Sequence, residues 1–122
     1  MLANILVVED DGLERNLICQ VLRGEGHETI EASDGAEALE LLQHEHFDLA
    51  IIDFIIPKIN GLKLVEHFHV LQRQIPIIFI TGYLSINSGQ TILGDMAEFL
   101  PKPFELDVLR STTKRLLEST SH

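Results

Sequence analysis

Leu49-Ala50-Ile51-Ile52-Asp53 decides the fold: four apolar residues in a row, closed by a carboxylate. Such a run does not alternate, so it suits a strand buried on both faces, as in a parallel sheet covered by helices. An acid at the end of that strand carries a desolvation penalty and reads as a working group. Three further stretches have the same form. Ile5-Leu6-Val7-Val8 leads into Glu9-Asp10-Asp11, Pro76-Ile77-Ile78-Phe79-Ile80 into Thr81, and Glu98-Phe99-Leu100-Pro101 into Lys102-Pro103. In open α/β sheets ligands bind beyond the carboxyl ends of the strands, where the strand order reverses. Acids, a hydroxyl and an ammonium therefore converge on one place.

Between these runs the period becomes helical. Leu13, Leu17, Ile18, Val21 and Leu22 read as one inward face, closed by Gly24 and Gly26. Glu28 to Ala32 is expected to be a short strand, and Asp34-Gly35-Ala36-Glu37 has the form of a capping box before a helix that buries Ala38, Leu39, Leu41 and Leu42. A third helix should follow Asn60-Gly61 with Leu64, Val65, Phe68 and Leu71 inward. The last should bury Leu106, Leu109, Leu116 and Leu117. Ser85 to Gly94 holds poor helix formers where a fourth helix is due, so that helix is expected to be short or mobile. The alternation is βαβαβαβαβα, which defines a doubly wound α/β domain.

The chain has 122 residues, enough for one core without disulfides. Its formal charge of -10 argues against binding nucleic acid or an anionic membrane through this domain, because phosphate rewards clustered Lys and Arg. A basic partner or a cation is favoured instead. Cys19 is the single cysteine and stands among apolar residues, which is compatible with a reducing compartment. The first strand starts close to Met1, and no apolar run is long enough to span a bilayer, so a soluble, cytoplasmic protein is expected. His44 with His46, and His67 with His69, stand two apart, which on a helix directs them to different faces rather than to one metal. Gly35, Gly61 and Gly82 do not form a phosphate-cradling loop.

With these residues in order, the chain resembles a response-regulator receiver domain of two-component signalling, from Asn4 to about Leu117. The matching motifs are Ile5-Leu6-Val7-Val8-Glu9-Asp10-Asp11, Asp53 with Ile56-Pro57 and Gly61, Phe79-Ile80-Thr81-Gly82, and Phe99-Leu100-Pro101-Lys102-Pro103-Phe104. The resemblance implies a flavodoxin-like (βα)5 fold, with a five-stranded parallel sheet in order 2-1-3-4-5 and helices on both faces. Residues 1–118 would form the receiver and residues 119–122 a polar tail. Asp53 would accept a phosphoryl group from a histidine kinase or histidine phosphotransfer protein. Mg2+ would be held by Asp10 and Asp53, by Glu9 through water, and by the backbone carbonyl of Ile55. Which two of Glu9, Asp10 and Asp11 form the working pair is open from sequence, and Glu9 with Asp10 is chosen. Lys102, preceding a cis proline bond in the family, would neutralise the phosphoryl oxygens. Thr81 and Phe99 would switch a surface formed by the fourth helix, fifth strand and last helix. That surface would act on a downstream output domain or protein, with a phosphorylation-dependent dimer as a further partner.

Two departures sharpen these expectations. Ile55 and Tyr83, two residues beyond Asp53 and Thr81, carry no carboxylate or amide that could orient a water, so a slowly hydrolysing acyl phosphate is expected. No Lys or Arg stands between Thr81 and Lys102, so the fourth helix would lack its basic contribution to the charged dimer of many family transcription factors. A magnesium-dependent phosphatase of the haloacid dehalogenase type also uses a strand-end Asp, but it needs a second Asp where this chain has Ile55. Without that general acid the chain is not expected to be a turnover enzyme. A degenerate receiver that binds partners without phosphorylation ranks second, because no acid, Thr or Lys is missing.

Overall fold

Strands whose residues are apolar on both sides must be covered on both sides, and the observed sheet meets that demand. The computed structural model describes residues 2–53, 63, 66, 75–81 and 97–120; the side chains of Thr81, Ala97, Ser119 and Thr120 are outside that description. The elements run β1 (Asn4–Val8), α1 (Gly12–Gly24), β2 (Glu28–Ala32), α2 (Gly35–His44), β3 (Leu49–Asp53), β4 (Ile77–Thr81), β5 (Ala97–Pro101) and α3 (Leu106–Thr120). All pairings are parallel and the order is β2-β1-β3-β4-β5. The order reverses between β1 and β3, which places the ends of these two strands side by side.

Alternate residues of the apolar strands feed two cores. Ile5, Val7, Leu49, Ile51, Ile78 and Ile80 pack with Ile18 and Leu22 of α1 and Leu109, Leu116 and Leu117 of α3. Leu6, Val8, Ala50, Ile52 and Phe79 pack with Ala38 and Leu42 of α2 on the opposite face. Helices thus lie on both faces, as expected. Edge strand β2 is more open and carries the exposed Glu28 and Glu31, which discourage pairing with another strand.

The helix ends follow their capping residues. Asp34 accepts the Glu37 N–H while the Glu37 carboxylate accepts the Ser33 N–H, close to the reciprocal arrangement expected there. Helix α1 ends through Gly26, whose φ of +94° suits glycine; a Cβ there would lie 2.8 Å from Leu2 Cδ2.

The inward face assigned to α1 needs correction. Leu13 and Leu17 are exposed, at 85% and 45%, while Ile18, Cys19, Val21 and Leu22 are buried. The buried stripe centres on Ile18 and Leu22, and Cys19 rather than Leu17 closes it. At about 100° per residue Leu13 then falls nearly opposite the core. Helix α3 continues through Thr120. Lys63 and Glu66 are helical, whereas Leu64, Val65, Phe68 and Leu71 and the segment from Ser85 to Gly94 lie outside the described residues. Among the described residues no helix is long and apolar enough to cross a membrane.

Candidate functional site

The register brings the expected strand ends together. Val8 pairs with Ile52, Asp53 with Ile80, and Thr81 with Pro101, so Glu9, Asp53, Thr81 and Lys102 follow or end four adjacent strands. Three consecutive acids leave β1, and local hydrogen bonding separates their roles. Asp11 is the N-cap of α1: its Oδ1 accepts the N–H groups of Leu13 at 3.0 Å and Glu14 at 3.3 Å, a contact typically worth about 1 kcal/mol. Glu9 and Asp10 remain to join Asp53. Carboxylate oxygens of these three lie within 4.8 Å of one another and could hold a metal ion.

Burial makes this acid cluster energetically demanding. Glu9 is 1% exposed and Asp53 8% exposed, while Asp10 is exposed. Burial pushes the Glu9 carboxyl up to about 9, and the adjacent Asp53 carboxylate reinforces the shift. Oxygen donors of this kind fit a hard divalent cation, which would relieve the repulsion. The backbone around Glu9 is held firmly. Its N–H donates to Ala32 O at 3.0 Å, and its carbonyl accepts Arg15 Nη1 at 2.7 Å. Arg15 Nε also binds Glu31 Oε1 at 3.0 Å, so α1 is tied to β2 across the acidic turn.

Lys102 supplies the positive charge. Its Nζ lies 3.0 Å from Asp53 Oδ2, 3.3 Å from Glu14 Oε1 and 3.4 Å from Glu9 Oε1. Burial works against its charge, but the hydrogen bond and charge of Asp53, with Glu9 and Glu14, outweigh burial and hold its pKa above the usual lysine range. The Lys102–Pro103 bond is cis. Phe99 is buried and stacks on Phe79, with ring centroids 5.2 Å apart and planes 19° from parallel. Thr81 ends β4. Ile55 and Tyr83 lie outside the described residues.

Glu14 was absent from the sequence-based site. Its signal was nevertheless present, since it stands four residues after Asp10, in the first turn of α1. Arg15 was missed as well, because its contact is with a backbone carbonyl that no side-chain motif reveals.

A doubly wound parallel sheet with acids and a lysine at its switch point is the arrangement expected of a receiver domain. The family comparison is decisive: residues 5–114 match the response regulator receiver domain, and the chain belongs to that family. It is 32% identical over 120 residues to sporulation initiation phosphotransferase F of Bacillus subtilis, covering 97% of this chain and 96% of that protein. It is also 32% identical over 119 residues to sensor kinase CckA of Brucella abortus, covering 95% of this chain but 13% of the kinase. Among solved structures, a CheY-like receiver domain protein from Methanospirillum hungatei JF-1 superposes with a TM-score of 0.88 at 30% identity, covering 98% and 96% of the two chains. Receivers of this kind therefore occur both nearly alone and as small parts of much longer proteins.

Proposed function

We propose that this receiver takes a phosphoryl group from a phosphohistidine donor onto Asp53. The observation that carries the reading is the meeting of Asp53 Oδ2 with Lys102 Nζ at 3.0 Å beside the Glu9 and Asp10 carboxylates. An Asp53 oxygen attacks phosphorus in line; the P–O bond forms as the P–N bond breaks, and the electron pair remains on the leaving imidazole nitrogen. Such a transfer needs positioning and charge neutralisation more than acid-base help. Asp53 provides the nucleophile, Lys102 meets the phosphoryl oxygens, and Thr81 donates its hydroxyl to them. Asp10 and Asp53, Glu9 through water and the Ile55 carbonyl are the donors assigned to Mg2+, which when bound neutralises charge between carboxylate and phosphoryl oxygens.

Phosphorylation adds negative charge at a buried strand end, and Thr81 and Phe99 are the pair assigned to relaying it to a protein-binding surface. The donor would be a histidine kinase or histidine phosphotransfer protein and the downstream partner an output domain or protein, in the cytoplasm. The chain would act as a switch with no turnover of a separate substrate, and Ile55 and Tyr83 would keep the acyl phosphate long-lived. Intact mass after incubation with Mg2+ and acetyl phosphate tests the reading. One phosphoryl adduct is expected in the wild type and none in Asp53→Asn; an adduct that persists in the variant places the acceptor elsewhere.

A further inference from the structure

Lys102 is shared by one more carboxylate than the proposed chemistry uses. Glu14 lies on the first turn of α1, outside the cluster of Glu9, Asp10 and Asp53 that could hold a metal, yet its Oε1 is 3.3 Å from Lys102 Nζ. The same ammonium is 3.0 Å from Asp53 and 3.4 Å from Glu9. Among the described residues the buried Glu14 Oε1 atom meets no donor in hydrogen-bond geometry, so its contact with Lys102 is an ion pair without that geometry. Its backbone N–H is anchored by the Asp11 cap, which fixes where the side chain starts. Glu14 and Lys102 also share a cleft with Leu17, Pro103 and Leu106 at the rim of the acidic site.

We propose that Glu14 is a positioning residue that holds Lys102 away from the incoming phosphoryl group and, by its own charge, slows phosphoryl uptake from small anionic donors. The proposal rests on Asp53 being the acceptor. With acetyl phosphate, an Asp53 oxygen forms a bond to phosphorus as the bond from phosphorus to the acetate oxygen breaks. Acetate leaves with the electron pair, and no proton moves. The donor reaches an acidic rim where Lys102 Nζ already lies within 3.0–3.4 Å of Asp53, Glu14 and Glu9. Removing the Glu14 charge frees Lys102 for the phosphoryl oxygens and weakens repulsion of the donor.

The test follows adduct formation by intact mass for the wild type, Glu14→Gln and Glu14→Asp in Mg2+. Glu14→Gln is expected to react about 3- to 10-fold faster with acetyl phosphate at low salt, and Glu14→Asp to return within about twofold of wild type. Added salt should speed the wild type more than Glu14→Gln, because it screens the repulsion that the variant lacks. The gain should shrink with phosphoramidate, whose net charge is less negative. A change in helix stability alone would produce neither the salt difference nor the donor difference. Equal rates and equal salt responses overturn the proposal. The Lys102 side-chain resonances, read by NMR, provide a measurement that needs no phosphorylation: they should shift in Glu14→Gln, and unmoved resonances also overturn it. A wild type that takes no adduct overturns the acceptor reading itself, and the resonances then decide the positioning of Lys102 alone.

Discussion

The two ends of the sheet solve the same problem differently. At the amino ends of β1 and β3, polar groups are satisfied locally: Asp48 Oδ2 accepts the Asn4 N–H at 2.8 Å, Asn4 Nδ2 donates to His46 O at 2.6 Å, and His27 Nδ1 accepts the Ala3 N–H at 3.1 Å. At the carboxyl ends, Glu9 and Asp53 are buried beside each other with Lys102 shared between them. One end consists of closed hydrogen bonds that stabilise the fold. The other concentrates like charges that the folded chain balances incompletely. A site that accepts a cation and a phosphoryl group needs that imbalance, since binding then relieves a penalty already present in the fold.

The largest expected break in this contrast is at Glu9. Its folded pKa is raised to about 9 from the usual 4.5, so in between the folded chain holds a proton that the unfolded chain has released. Its contribution to stability is therefore full below about pH 4.5 and is lost as pH rises toward 9. Denaturation in EDTA should show stability falling from pH 5 to 9, and Glu9→Gln should flatten the curve and be roughly 2–4 kcal/mol more stable near pH 8. Mg2+ should stabilise the wild type above pH 7 and the variant much less. A wild-type curve that is flat in EDTA would mean that Glu9 meets no such field.

The sheet was legible because its strands could not be read otherwise: Ile5–Val8 and Leu49–Ile52 are apolar on both faces, and only a covered parallel sheet accommodates them. Their terminal acids were legible for the same reason. The division of labour among Glu9, Asp10 and Asp11 was not, since three adjacent carboxylates look alike until the helix start claims Asp11 as its cap. The orientation of α1 was misread at Leu13 and Leu17 because apolar character marks a helical stripe only when its centre is known, and the small Cys19 fixes that centre. Glu14 escaped because its partner Lys102 is far away in sequence.

A smaller effect is expected at Lys102. Lys102→Met leaves Asp53 and Glu9 facing each other without their ammonium, but Lys102 is 30% exposed and water recovers part of the loss. Stability should fall by about 1–2 kcal/mol above pH 9, once Glu9 has released its proton, and by less near pH 5, where Glu9 keeps it. Mg2+ should narrow the difference from wild type. A loss equal at both pH values and unchanged by Mg2+ would assign Lys102 a packing role instead.

The smallest effect belongs to the other end of the sheet and serves as the reference. Asn4→Ala removes the bond from Asn4 Nδ2 to His46 O while leaving the Asn4 N–H free to donate to Asp48. Both groups in the lost bond are neutral and the contact is exposed, so about 0.5–1 kcal/mol should disappear. The loss should be the same at pH 5 and pH 9 and the same in EDTA and Mg2+, because neither a proton nor a cation acts on this bond. Chemical denaturation of the variant beside Lys102→Met measures both ends in one experiment. If Asn4→Ala instead acquired the pH and Mg2+ dependence expected of Lys102→Met, the two ends would be coupled through β1, and their electrostatics could not be assigned to the site alone.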